Sequence, residues 1–233
     1  KDAFSHQLSE LSSVQKQVLV ERHLISREQA ARSEGSAIVV NRNQTLSIMI
    51  NEEDHLRLQS IRSGLHLREA YQLIANIDKD LEQSLPFAFD HELGYLTACP
   101  TNVGTGLRAS AMLHLPGLVI SDHIGQVIQA VGKLGLAVRG ILGEGTESLG
   151  HLFLISNQST LGESDEDILD RLERVIQRVR EQERNAPSKL LEEDPQMLAD
   201  KISRAYGQLK YAYVIDSKEA WFCLLDNPMR FKT

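Results

Sequence analysis

Three short β-rich runs follow one another with no room for a helix between them. Ala37–Val40 and Leu46–Ile50 are separated only by Asn41-Arg42-Asn43-Gln44, and His55–Ile61 then alternates polar and apolar residues. This hairpin-like succession favours antiparallel pairing. Further strand candidates, Tyr95–Ala98, Arg108–Leu115, Leu136–Ile141 and His151–Ile155, also arrive without strict strand–helix alternation. The expected fold is α+β, a mainly antiparallel sheet flanked by helices.

The helices have readable signals. Residues 8–22 suit a helix capped by Ser12 or Ser13, with Val14, Val18 and Leu19 on one face, and Ser26-Arg27-Glu28-Gln29 has the form of a capping box. Leu67, Ala70, Ile74, Ile77, Leu81 and Leu85 recur at helical spacing. Ser121 or Asp122 caps a helix through Lys133 that Gly135 ends. Ser164-Asp165-Glu166-Asp167 opens a long helix striped by Ile168, Leu169, Leu172, Val175, Ile176 and Val179. Asn185-Ala186-Pro187-Ser188 reads as a break, and residues 189–220 as a further helical segment with a short strand near Ala212–Ile215.

Composition excludes several functions. The chain has 233 residues, 42% hydrophobic and 24% charged, enough core for one large domain or two small ones. Its net charge of −7, without a Lys/Arg block, argues against direct nucleic-acid binding. No apolar stretch approaches the roughly 18 residues that span a bilayer, which argues against a membrane. Cys99 and Cys223 lack metal-ligand spacing and are too few for a disulfide scaffold, which fits a reduced, cytoplasmic setting. The start, Lys1-Asp2-Ala3-Phe4, has neither a signal-peptide pattern nor an initiator Met, and reads as lacking its natural N-terminus.

Three islands carry the chemistry. Asn51-Glu52-Glu53-Asp54-His55-Leu56-Arg57 clusters carboxylates at the end of an apolar run, where charge is costly without a ligand. Cys99-Pro100-Thr101-Asn102-Val103-Gly104-Thr105-Gly106-Leu107-Arg108-Ala109-Ser110 joins a thiol to a glycine loop; Gly104 and Gly106 permit close backbone approach and an anion-binding nest, and Arg108 opens the next strand. It is no Walker A loop, lacking the Gly-Lys-Ser/Thr ending. Val138-Arg139-Gly140-Ile141-Leu142-Gly143-Glu144-Gly145-Thr146-Glu147-Ser148 puts an arginine at a strand end and two glutamates in a loop. His66, His91, His114 and His151 are scattered without ligand spacing.

In this order and spacing, the three islands resemble the phosphagen (ATP:guanido) kinase family. Leu19–Ser26, Ser47–Ile50 and Ala111–Pro116 draw the likeness towards its bacterial protein-arginine branch, over roughly residues 12–220. The resemblance implies a glutamine synthetase-like catalytic domain that moves the γ-phosphoryl group of ATP, with Mg²⁺, to arginine side chains of proteins. Glu53 is then base and orienting group, Glu147 grips the other edge of the guanidinium, and Cys99 tunes its charge. Arg57, Arg108 and Arg139 clamp the triphosphate and His23 contacts the nucleotide. Ala109, Ser110, Ala111 and Met112 line the nucleotide beside Arg108, and Gly140, Ile141, Leu142, Gly143 and Glu144 form its loop. The implied partners are proteins with exposed arginines, a Clp-type protease system, an activator protein, a stress-response repressor and a second copy as a homodimer.

Two family segments have no counterpart: a Ser-x-Arg-x-Arg stretch before the first island, and an Arg-Asp-containing phosphoarginine-binding stretch near the C-terminus. Residues 1–233 are therefore expected to be one catalytic domain trimmed at both ends. Leu142 stands where small-molecule guanidino kinases carry another phosphate-binding arginine. The competing readings are a kinase of free arginine or a related guanidino compound, and a non-catalytic nucleotide- or arginine-binding fragment.

Overall fold

The computed structural model describes residues 3–32, 34–140 and 149–225. The chain divides into two compact units, residues 1–106 with 161–163, and residues 107–160 with 164–233. The three sheets of the described residues are paired antiparallel.

The first unit begins with β1 (Ala3–Gln7), a single 3₁₀ turn, α1 (Ser13–Glu21) and α2 (Arg27–Ala31). Then β2 (Ala37–Asn41), β3 (Leu46–Ile50) and β4 (Leu56–Ser60) complete a four-stranded meander in the order β1-β2-β3-β4. Side-chain alternation decides what it buries: Ile38 lies opposite Met49, and both join Val40, Leu8, Leu11, Leu24 and Ile25 in the core. Ser12 caps α1 in a full capping box with Gln15, and Ser26 caps α2. Gln29 is buried and donates to the Ala37 and Ile50 carbonyls, which pins α2 to the sheet.

Some expectations shift here. Val14 and Val18 face solvent, while Leu19 and Val20 pack on the core. Strand β1 has no signal in the sequence, because all five of its residues are exposed and no alternation marks it. After β4 come α3 (Leu67–Glu82) and a small ribbon of β5 (Phe89–Asp90) with β6 (Gly94–Tyr95). The strand expected over Tyr95–Ala98 is thus only Gly94–Tyr95.

The second unit contains β7 (Ser110–His114), α4 (Pro116–Ile120), α5 (Ile124–Lys133), β8 (Leu136–Gly140) and β9 (Leu152–Asn157). Three helices follow: α6 (Asp165–Glu193), α7 (Pro195–Tyr211) and α8 (Ser217–Leu225). The sheet order is β7-β9-β8. Leu136, Phe153 and Ile155 are buried, as is the whole predicted stripe of α6 from Ile168 to Val179.

Three further expectations are corrected. The helix expected from Ser121 or Asp122 starts instead at Ile124, because the short α4 occupies the preceding residues; Asp122 takes a left-handed φ of 59° and the Ser121 hydroxyl turns back to the Gly117 carbonyl. Residues 212–216 carry no strand and lead into α8. The break at Asn185–Ser188 does not occur, and α6 continues through Pro187. A proline there forgoes one N–H and presses on the preceding turn. The burial of Ala186 and Leu190 on either side offsets that cost.

Gly117 makes the α4–α6 approach possible, since a Cβ there would stand 2.9 Å from Glu183 Oε1 and 3.0 Å from the Ala186 Cβ. Glu183, on α6 and 5% exposed, accepts hydrogen bonds from the Gly117 and Leu118 N–H groups at 2.8 and 2.9 Å. Burial pushes its carboxyl up, against the opposing pull of those two N–H groups and of His151. A raised carboxyl contributes its stability at low pH and loses it as pH rises through the folded value. We therefore expect the stability of the unmutated chain to fall relative to Glu183→Gln as pH climbs out of the ordinary glutamate range, measured by urea midpoints of both proteins. Glu183→Ala should cost about 2–3 kcal/mol at neutral pH, because it orphans two buried donors.

Candidate active site

The turn at residues 51–55 joins β3 to β4 and separates three consecutive acids by environment. Asn51 takes a left-handed φ of 54°, its N–H donates to the His55 carbonyl at 3.0 Å, and its amide reaches the Gly35 carbonyl. Glu52 turns inward, its side chain 6% exposed. It accepts from the Ser26 hydroxyl at 2.6 Å, from the Glu53 N–H at 2.9 Å and from Arg57 Nη1 at 3.3 Å. Burial alone would raise the Glu52 carboxyl; the Ser26 and Glu53 hydrogen bonds and the Arg57 charge outweigh it, and the carboxyl lies below its usual range.

Asp54 reaches across the chain. Its Oδ1 accepts the Ala98 N–H at 2.6 Å, which joins the acid turn to the residue just before Cys99. Glu53, between the two committed acids, is exposed, and among the described residues its carboxylate takes no hydrogen bond or ion pair.

Cys99 is half-buried, with Sγ 3.0 Å from the Thr101 hydroxyl, and Pro100 after it opens a 3₁₀ turn. The loop it belongs to is closed at its neck by Tyr95 and Gly104, which exchange backbone hydrogen bonds of 2.8 and 3.3 Å. Gly94 is required there, because a Cβ on it would meet the Gly104 carbonyl oxygen at 2.5 Å. Gly104 thus serves a close approach within the protein, and its own N–H is spent on Tyr95. In the same unit Arg57 is half-exposed and steered by Glu52. His23 sits just past α1 with a left-handed φ of 57°, its ring exposed and its carbonyl accepting from the Gln59 amide.

The second unit holds the other predicted residues. Strand register puts Met112, Leu154 and Arg139 in one row, with Ser110 and Ser156 on the same face. On that face Ser110, Met112 and Arg139 are exposed. Ala111 and Gly140 fall on the opposite face, which carries buried Phe153 and Ile155, and Ala109 is buried. Arg108 precedes the strand instead of opening it; its Nη1 donates to the Asn157 and Gln158 carbonyls at 2.8 and 2.7 Å. Ile141, Leu142, Gly143, Glu144 and Glu147 lie outside the described residues.

Sequence reasoning missed the roles of Ser26, Glu52 and Asp54. The only signal was that three adjacent acids cannot all face one ligand. Among the described residues no three His, Cys, Asp or Glu side chains converge as a metal cage, and no helix is long and apolar enough to cross a membrane.

The first unit thus ties an acid turn to a cysteine segment, and the second exposes Arg139 on its open sheet face. The chain belongs to the ATP:guanido phosphotransferase family, whose C-terminal catalytic domain model matches residues 2–186. A second model, described as the protein-arginine kinase McsB C-terminal domain, matches residues 195–230. A protein-arginine kinase of Bacillus cereus (strain AH187) is 50% identical over 219 residues, 94% of this chain and 62% of that protein. One of Pelotomaculum thermopropionicum is 47% identical over 213 residues, 91% of this chain and 60% of that protein. The chain thus spans about three fifths of the length of these relatives. Among solved structures, a lombricine kinase aligns with a TM-score of 0.68 at 25% identity, over 81% of this chain and 55% of that one. The duplicated taurocyamine kinase of Schistosoma mansoni, bound to transition-state analogue components, gives 0.69 at 28%, over 87% of this chain and 30% of that one.

A depressed carboxyl contributes stability above the ordinary glutamate range and loses it as pH falls through the lower folded value. Glu52→Gln should accordingly cost about 1 kcal/mol near pH 7. That difference should disappear on acidification, the opposite trend to Glu183, as read by urea denaturation between pH 7 and pH 3.

Proposed function

We propose that this chain is the phosphotransfer portion of a protein-arginine kinase, moving the γ-phosphoryl group of ATP onto arginine side chains of proteins. The observation that carries the reading is the Asp54–Ala98 hydrogen bond. It ties the acid turn to the Cys99 segment while leaving the Glu53 carboxylate exposed and uncommitted. The relatives at 47–50% identity, both protein-arginine kinases, favour a protein acceptor over the small guanidino compounds named for the more distant structures.

In this reading Glu53 accepts N–H bonds from the guanidinium and takes the proton released as the N–P bond forms and the bond from the γ-phosphorus to ADP breaks. A guanidinium is a weak nucleophile because it is cationic and delocalised, so a carboxylate that receives its proton raises the rate directly. Cys99 lies against the cation as a polarisable neighbour. Arg57, Arg108 and Arg139 hold phosphate oxygens, which guanidinium forks bond bidentately without losing charge, and His23 meets the nucleotide. Ser110 and Met112 line it from the open sheet face. Little covalent help is needed beyond in-line placement and charge cancellation.

By resemblance the proposal also includes Glu147 at the guanidinium and Glu144 in the nucleotide loop. Mg²⁺ would be carried on the nucleotide's own oxygens and water, and no step is assigned to a protein-held ion. The same resemblance extends it to a cytoplasmic stress-response role. The expected partners are a Clp-type protease system, an activator and a repressor, with self-association as a homodimer.

The test is transfer from γ-labelled ATP to a denatured arginine-rich protein and to free arginine. Acid-labile label on the protein, with little on free arginine, is the expected result; efficient labelling of free arginine would select the small-molecule reading. Glu53→Ala and Cys99→Ala should each cut the rate by about 10²-fold or more, the scale of a lost general base or positioned polar partner. A chain that binds ATP and labels nothing would be a binding fragment.

A further inference from the structure

Strand β9 ends on Asn157, which is 1% exposed and uses its whole side chain. Oδ1 accepts the Ala109 N–H at 2.9 Å, and Nδ2 donates to the Leu107 carbonyl at 2.9 Å and the Ser159 carbonyl at 3.1 Å. The backbone bonds at this point are unusual. The β7–β9 register places Ala109 opposite Asn157, one step beyond Ser110 and Ser156. Two such residues in an antiparallel ladder ordinarily exchange both backbone hydrogen bonds. Here only one is made, from Asn157 N–H to the Ala109 carbonyl at 3.3 Å. The reciprocal bond is taken over by the Asn157 side chain, and the Asn157 main-chain carbonyl is left to Arg108, which it shares with the Gln158 carbonyl.

We infer that Asn157 is the positioning residue for Arg108: its amide substitutes for the missing ladder bond and so reserves a backbone carbonyl that orients the arginine towards phosphate. A guanidinium has five donors in one rigid plane, so fixing Nη1 on two carbonyls sets the direction of the rest of the fork. Nδ2 holds Leu107, one residue before Arg108, and Ser159, beyond Gln158, so both segments that frame the arginine hang on one amide group. The inference rests on the assignment of Arg108 to the nucleotide.

The experiment is a double-mutant cycle read as ATP affinity by equilibrium dialysis, independent of turnover. Asn157→Ala releases the Ala109 N–H, which can then reclaim the carbonyl from Arg108. It should weaken ATP binding about tenfold, the equivalent of one charge-assisted hydrogen bond. Arg108→Ala should weaken it at least as much, and the double variant should be no weaker than Arg108→Ala alone. Should Asn157→Ala fail to fold by circular dichroism, Asn157→Asp replaces it, since a carboxylate keeps the acceptor but repels the Leu107 and Ser159 carbonyls. Additive losses, or an Asn157 variant that binds ATP normally, would overturn the positioning role. Unchanged affinity in Arg108→Ala alone would overturn the phosphate assignment itself, and the inference with it.

Discussion

A backbone N–H and a carboxylate hold the acid turn and the cysteine segment of the first unit together. The Asp54–Ala98 bond joins segments 44 residues apart in sequence, and nothing else described between the acid turn and the cysteine segment has its directness. Hydrogen bonds to ionised groups are short and roughly twice as strong as neutral ones, so a single one can fix a loop whose sequence offers little packing. The neighbouring constraints make it effective. Gly94 and Gly104 close the neck of the cysteine loop, and Asn51 turns the chain so that Asp54 faces it.

The three adjacent acids illustrate how burial and hydrogen bonding divide identical chemistry. Glu52 pairs with Arg57 and is saturated by donors, Asp54 accepts a backbone N–H, and Glu53 is exposed and among the described residues its carboxylate takes no hydrogen bond or ion pair. An exposed carboxylate without a partner is available to attract a cation. In the other unit the three-stranded sheet makes a comparable division. Its buried face supplies cohesion through Phe153 and Ile155, and its open face offers Ser110, Met112 and Arg139.

Much of this architecture is legible in the sequence. The hairpins β2–β3–β4, the Ser12, Ser26 and Ser164 caps and the apolar stripe of α6 all follow from period and end signals that tertiary packing did not oppose. The failures share a cause. Strand β1 has no buried residue to print a pattern, and it exists because β2 offers it an edge. Pro187 obeys its neighbours' burial over its own preference. The catalytic candidates Glu53 and Cys99 could be found by motif, whereas Glu52, Asp54 and Asn157 owe their roles to partners far along the chain, which no local window contains.

Helix α6 has a practical corollary for anyone dissecting this family. The boundary between the two matched family regions, residues 186 and 195, falls inside or just past a helix that runs unbroken from Asp165 to Glu193. Modular surgery at that sequence boundary would leave Glu183 three residues from a cut end, in the turn most prone to fraying. The carboxylate that seats α4 would then hang from the least ordered part of its own helix, and Leu190 would be lost from the core. An excised catalytic piece would thus be expected to misbehave for reasons of architecture while every reactive group remained intact.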